Sequence, residues 1–308
     1  MRQAKEKYDV IIVGSGASGC AATVRAAQLG LNVICIDNLA TSNTKKSLPG
    51  VFMPSPCLSS NALLESAKLF DSILNEINFH GIYVENASLD VQKMIQRKDK
   101  ILNLLNQHTK ELFANYDIDF IHAKAKLISP KAVEIIYPQT QNKNQILADH
   151  IILATESIPI SINCVTVDNI FIFDSITALN ISEVPKRLAI LGAGVIGLEL
   201  AAIWNRLGSE TILLDAQESF LGLTDNQISR EAYKIFTEQG LELRLGTRVV
   251  STNIVNKKVV VEYQDSDGTH AIRVDKLIVA SGRKPNTDNL AAPEANLLLD
   301  ENGFVHIN

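Results

Sequence analysis

The chain has 308 residues, 46% hydrophobic and 20% charged, which is enough for about two domains with buried cores. Its 29 basic and 34 acidic side chains leave a net charge of −5 with no basic stripe, which argues against nucleic acid as a partner. No apolar run approaches the ~20 residues of a membrane span, and Met1–Val10 carries charge without the apolar stretch of a secretory signal, so no membrane is expected. From the start, Tyr8–Val13 predicts a buried strand, Gly14-Ser15-Gly16-Ala17-Ser18-Gly19 a tight turn, and Cys20–Leu29 a small-residue helix ended by Gly30. Leu31–Ile36 predicts a second strand closed by Asp37, an acid 23 residues beyond Gly14. A lone G-x-G-x-x-G is weak, but here it sits in a full strand–turn–helix–strand setting.

Leu48–Leu64, LPGVFMPSPCLSSNALL, is a Pro- and Ser-rich loop that runs into a helix and carries Cys57. Leu63, Ala67, Phe70, Leu74 and Ile77 follow helical spacing and predict an amphipathic helix over Ser60–Asn78. A second is predicted over about Leu89–Asn115, with Val91, Ile95, Leu102, Leu105 and Leu112 on one side. Its charged side, Lys93, Arg97, Lys98 and Lys100, reads as a solvated face. Short strands are expected at Asp119–His122, Ala132–Ile136 and Ile146–Ala154.

The opening unit then recurs. Leu188–Leu191 predicts a strand, Gly192-Ala193-Gly194-Val195-Ile196-Gly197 the turn, Leu198–Leu207 the helix and Thr211–Leu214 the next strand. Gly14, Gly16, Gly19, Leu29, Gly30 and Asp37 fall on Gly192, Gly194, Gly197, Leu207, Gly208 and Asp215 at one offset of 178. Identities at one offset, all at motif positions, indicate an internal duplication of a dinucleotide-binding βαβ unit. The first glycine permits the turn, the second lets backbone N–H groups approach a diphosphate, and the third lets helix and strand pack closely. The helix N-terminus adds partial positive charge, and Asp37 and Asp215 stand where a carboxylate accepts from ribose hydroxyls. A carboxylate there repels a 2′-phosphate, and Ala216 and Gln217 offer no cation to attract one, so the second unit should prefer NAD to NADP. The alternative is a pair of glycine turns in an α/β fold with no ligand. Beyond this unit a helix is expected over Asp225–Gln239, with strands near Leu241–Leu245, Val249–Ile254, Lys258–Tyr263 and Leu277–Ala280 and a hairpin turn at Gly268.

These stretches resemble the dihydrolipoamide dehydrogenases, within the pyridine nucleotide–disulfide oxidoreductases, over nearly the whole length. YDVIIVGSGASG, AAQLGLNV, HGIYVENASLD, RKDKIL, LRLGTRV and SGRKPNT carry the resemblance, and the long run Glu183–Gly208 carries it most specifically. The resemblance implies an α/β fold of two Rossmann-like dinucleotide-binding domains. An FAD domain over 1–155 would hold an inserted NAD domain over 156–281, and 282–308 would begin the return to the FAD side. The chain stops at Asn308. The family's second FAD motif and its C-terminal dimerisation domain, with a catalytic His–Glu pair, would follow, so this chain is expected to lack that domain.

The family's redox segment reads L-G-G-T-C-L-N-V-G-C-I-P-S-K-A-L-L, with two cysteines that form a disulfide beside the flavin. Aligned on Leu48–Leu64, this chain keeps only Cys57; Phe52 stands at the other cysteine. Pro49 and Val51 replace a glycine and a threonine near the FAD phosphates. Asn61 replaces a lysine that in the family pairs with the glutamate matched here by Glu199, which would leave Glu199 a buried carboxylate without its partner. Glu156, in Ala154-Thr155-Glu156-Ser157, occupies a glycine of the family's turn beside FAD, and Ala123 and Ala125 also replace glycines. The NAD half keeps its motif: Gly192–Gly197, Glu199, Asp215, Val249 and Gly282 all match.

The cofactors implied are FAD, at Gly14, Ser15, Gly16, Ala17, Ser18, Gly19, Asp37, Asn61 and Thr155, and NAD, at Gly192, Ala193, Gly194, Val195, Ile196, Gly197, Glu199, Asp215, Val249 and Gly282. Cys57 is the candidate redox residue; against that stands a half-buried packing cysteine. Cys20 and Cys35 read as core residues, and the four cysteines, Cys164 included, lack C-x-x-C spacing, so no zinc site and a reducing, cytoplasmic setting are expected. His80, His108, His122, His150, His270 and His306 lack metal-ligand spacing, Trp204 reads as packing, and Lys45-Lys46 as a solvated loop. In the family the partners would be a second copy and the 2-oxoacid dehydrogenase complexes. The expected function is a dihydrolipoamide dehydrogenase-like FAD/NAD oxidoreductase with its dithiol chemistry impaired. The alternatives are a non-catalytic NAD-binding or interaction protein and an NADH oxidase or diaphorase.

Overall fold

The computed structural model describes residues 5–37 and 56–307. Lys45, Lys46, Pro49, Val51 and Phe52 lie outside these described residues. In chain order the elements are β1 (Lys7–Val13), α1 (Ala17–Gln28), β2 (Val33–Asp37), α2 (Pro56–Asn75), α3 (Val91–Asn115), β3 (Asp119–His122), β4 (Lys124–Ser129), β5 (Ala132–Ile136), β6 (Lys143–Leu153) and β7 (Ser157–Pro159). There follow β8 (Ile172–Asp174), β9 (Arg187–Leu191), α4 (Val195–Arg206), β10 (Glu210–Leu214), α5 (Asn226–Glu238), β11 (Glu242–Arg244), β12 (Arg248–Val255), β13 (Lys258–Asp265), β14 (Gly268–Val274), β15 (Lys276–Val279) and β16 (Arg283–Pro285).

The chain forms two compact units. The first comprises Met1–Ser55, Ile101–Ile158 and Lys284–Asn308, and the second Pro56–Lys100 and Pro159–Arg283. The chain passes from the first unit to the second at 158/159 and back at 283/284. Segment 56–100, read from the sequence as part of the first domain, groups instead with the second. The cause is the apolar face of α2: Leu63 and Ala67 are buried in one core with Leu198, Ala201 and Trp204. Trp204 is 3% exposed, a core residue as expected.

In the first unit the sheet order is β3-β2-β1-β6-β5-β4. β1 pairs in parallel with β2 and β6, and β2 with β3, while β4, β5 and β6 pair antiparallel. Strand residues alternate faces, so Val10 and Ile12 join Cys20, Ala26 and Phe113 on one side, while Ile11 and Val13 join Ile135 and Ile146 on the other. Burial on both faces is why β1 reads as a continuous apolar run rather than an alternating one.

The second unit repeats the plan. Its five parallel strands run β11-β10-β9-β15-β8, so β9-α4-β10 occupies the place that β1-α1-β2 holds in the first unit. Leu188 and Ile190 face the core with α4 and α2, and Ala189 and Leu191 face Val259, Val261 and Val274 of the antiparallel meander β12-β13-β14. Asp225 caps α5, accepting from the N–H groups of Gln227 at 2.8 Å and Ile228 at 3.3 Å.

Along α3, Val91, Ile95, Leu102 and Leu105 are half-buried on the side expected to pack. Leu112 is exposed, and the inward line runs through Lys98, Asn106, Thr109 and Phe113. Lys98, expected on a solvated face, is 3% exposed. Its ammonium donates to Leu179 O at 3.1 Å and Asn180 Oδ1 at 2.6 Å, which gives a buried charge the acceptors it needs. Arg97 is held as well, donating to Ala62 O at 3.0 Å and Glu65 Oε2 at 2.5 Å. Among the described residues, no helix is long and apolar enough to cross a membrane.

Candidate functional site: two glycine turns compared

In the first unit β1 delivers the chain into Gly14 at φ +108°, where an added Cβ would lie 2.0 Å from Ala154 O. Gly19 packs as tightly, 2.0 Å from Gly14 O by the same measure. Both facts follow from bringing α1 down against the ends of β1 and β6. The Asp37 carboxylate, at the tip of β2, accepts from Ser15 N at 2.7 Å and from the Ser15 hydroxyl, so the acid also braces the turn. His122 Nδ1 lies 3.2 Å from Asp37 O.

The second unit reproduces this. Gly192 has φ +104°, with a Cβ position 2.4 Å from Ala280 O, and Gly197 lies 2.0 Å from Gly192 O. Asp215 Oδ2 accepts from Ala193 N at 2.6 Å and Oδ1 from Gln217 N at 2.8 Å. Ala154 and Ala280 therefore play one part in the two units, and counting on two residues sets Glu156 opposite Gly282. Glu156 has φ +61° and Gly282 φ +130°, the left-handed side that favours glycine.

The middle glycines differ. Gly194 is exposed, and a Cβ there would meet nothing within 4 Å. Gly16 is buried, and a Cβ there would overlap the Glu156 side chain, with Oε1 at 1.7 Å and Cδ at 2.6 Å. The carboxylate of Glu156 thus rests on the N-terminal turn of α1. Asn286 holds this corner from behind, its N–H donating to Glu156 O at 3.2 Å and its amide to Thr155 O at 3.1 Å. Ala17 and Ser18 of the first turn and Val195 of the second are exposed, while Ser15 and Ala193 are buried.

Cys57 is exposed in the first turn of α2, which corrects the reading of it as a half-buried packing residue. Asn61 is exposed too, whereas Ser60 points inward. The Ser60 hydroxyl lies 3.0 Å from both Cys57 O and Glu199 Oε2. Glu199 is half-buried and has this hydroxyl as a partner, so the expected orphaned carboxylate is not found. The hydroxyl of Ser60, one position before Asn61, gives Glu199 a hydrogen bond but not the positive charge of the family's lysine. Val249 sits on β12, its carbonyl 3.6 Å from Cys164 Sγ.

Cys20 and Cys35 are buried, and Cys164 is half-buried. Burial, with the negative charges of Asp37 and Glu156, pushes the Cys20 thiol up to about 11, and burial raises that of Cys35 further. Alkylation with iodoacetamide at pH 8, followed by mass mapping, should therefore modify Cys57 first and reach Cys20 and Cys35 only after unfolding. Equal labelling of Cys20 and Cys57 in the native protein would contradict this arrangement. Among the described residues, no three His, Cys, Asp or Glu side chains come together as a metal site.

A family model described as pyridine nucleotide-disulphide oxidoreductase matches residues 8–308. Dihydrolipoyl dehydrogenase of Cupriavidus necator is 36% identical over 306 residues, covering 98% of this chain and 64% of that protein. Leghemoglobin reductase of Glycine max is 31% identical, covering 98% of this chain and 57% of that protein. Among solved structures, a copper(II) complex of the HOCl-induced flavoprotein disulfide reductase RclA from Escherichia coli matches with a TM-score of 0.80 at 25% identity, over 98% of this chain and 63% of that one. The chain spans under two thirds of the length of each of these proteins.

Proposed function

Because the chain belongs to the pyridine nucleotide-disulphide oxidoreductase family, we propose that it is a dihydrolipoyl dehydrogenase-like protein that binds NAD through its second unit and does not perform dithiol–disulfide exchange. The observation that carries this reading is the exposed Gly194 at the N-terminus of α4, with nothing within 4 Å of its Cβ position. A diphosphate can approach the backbone there, and the helix end favours its charge. Gly192, Ala193, Val195, Ile196 and Gly197 would form the cradle, with Asp215 beside the ribose and Gly282 leaving the strand edge bare. Glu199 and Val249 match positions of the family's NAD half, and Asn61 falls on the position of its flavin-side lysine.

Oxidising a dithiol through the protein requires two thiols: one attacks or leaves while the other resolves the mixed disulfide. Cys57 has no such partner in the sequence, since the matching position is Phe52. FAD at the first turn, a second copy and the 2-oxoacid dehydrogenase complexes belong to the family's activity, and only the second-unit site is proposed for this chain.

Calorimetric titration should show NAD binding at least about tenfold tighter than NADP, because the Asp215 carboxylate repels a 2′-phosphate. A lipoamide-linked NAD reduction assay on the same protein should show no turnover. Turnover that Cys57→Ser abolishes would overturn the proposal, as would equal affinity for the two nucleotides.

A further inference from the structure

We infer that the first glycine turn is closed to a dinucleotide by the chain's own Glu156 carboxylate, which takes the place of the diphosphate. The two units provide the comparison within one molecule. Both have a left-handed first glycine packed on a strand carbonyl, a third glycine packed on the first, and an aspartate bonded to the turn. They differ at the residue three places beyond the end of β15 or β6, where one has Gly282 and the other Glu156. Above the bare residue the middle glycine is open; beneath the acid it is covered.

The occupant has the chemistry of the missing ligand. A carboxylate at a helix N-terminus makes the interaction that a phosphate oxygen would make there. For a diphosphate to reach the Gly16 backbone, the Glu156 side chain must leave; otherwise two anions share one helix end at contact distance. The left-handed backbone at Glu156 and the paired bonds from Asn286 to Thr155 O and Glu156 O fix where the side chain starts. The residues of the first turn therefore do not fit the FAD that the family resemblance implies. This inference is independent of Cys57 and Phe52 and goes beyond NAD binding in the second unit.

The test counts sites with ADP, which carries the adenosine and diphosphate common to both cofactors. The wild-type chain, Glu156→Gly and Glu156→Asn are titrated by calorimetry, with thermal melting of each as the folding control. Glycine suits the left-handed position and asparagine tolerates it while being uncharged and shorter, so both should fold. One site in the wild type and two in either variant is the expected result. Two sites in the wild type would overturn the inference, as would one site in variants that melt like the wild type. No site in the wild type but one in Glu156→Gly would uphold the closure while sinking the proposed second-unit site.

Discussion

Gly14→Ala should destabilise the first unit by roughly 4 kcal/mol or more, whereas Gly30→Ala should cost only about 1–2 kcal/mol. Both glycines have positive φ, +108° and +81°, so both substitutions incur the conformational penalty of an L side chain. Only Gly14 adds a collision. Its Cβ would lie 2.0 Å from the carbonyl oxygen of Ala154 and 2.6 Å from the carbonyl carbon, whereas nothing stands within 4 Å of the Cβ position at Gly30. The obstacle is backbone at the end of a central strand, which cannot rotate away as a flexible side chain could. Relief requires β1 and β6 to separate where Ala154 N donates to Val13 O at 2.7 Å. Urea unfolding monitored by circular dichroism separates the two variants. Equal midpoints would mean that the close approach at Gly14 is not rigid.

Gly282→Glu should lower NAD affinity about 100-fold, equivalent to about 2.7 kcal/mol. This change copies the first unit's acid into the second, two residues past Ala280 as Glu156 is past Ala154. A carboxylate over Gly194 would exclude the diphosphate and occupy the α4 N-terminus, and a charge-assisted hydrogen bond of this kind contributes about 1.5–3 kcal/mol. The backbone at Gly282, φ +130°, disfavours any side chain, and a Cβ there would lie 3.3 Å from Ile160 Cδ1. Gly282→Ala shares those two costs without the carboxylate, so it should lose affinity only a few-fold. Calorimetry on the pair isolates the effect of the acid; equal losses would show that backbone strain, not the anion, governs the site.

Much of the scaffold was legible because the two glycine fingerprints bind local chemistry to topology. The offset of 178 places two β-α-β units in register, and the structure sets each in the same position of its sheet. Strands β3 and β5 fall on their expected residues, as their apolar runs are bounded by turns. Strands β4 and β8 were missed, since KAKLIS and IFD are too short or too mixed to show a period of two. The buried Lys98 was illegible for a different reason. A lysine among charged neighbours reads as solvated, and its acceptors, Leu179 and Asn180, lie some eighty residues away. Ser60 replaced the expected unpaired Glu199 by a contact across 139 residues, which no local pattern reports. Glu156 was visible as an acid on a glycine position, but not where its carboxylate rests; that depends on φ +61° and on Asn286.

The most direct measurement is an NAD titration of the full chain beside Gly282→Glu and Glu156→Gly. One site per chain is predicted in the wild type, lost or weakened about 100-fold in Gly282→Glu and kept at unchanged affinity in Glu156→Gly, beside whatever the opened first turn of that variant adds. A wild-type site that survives Gly282→Glu intact, or no NAD binding at all, would contradict an open dinucleotide site in the second unit.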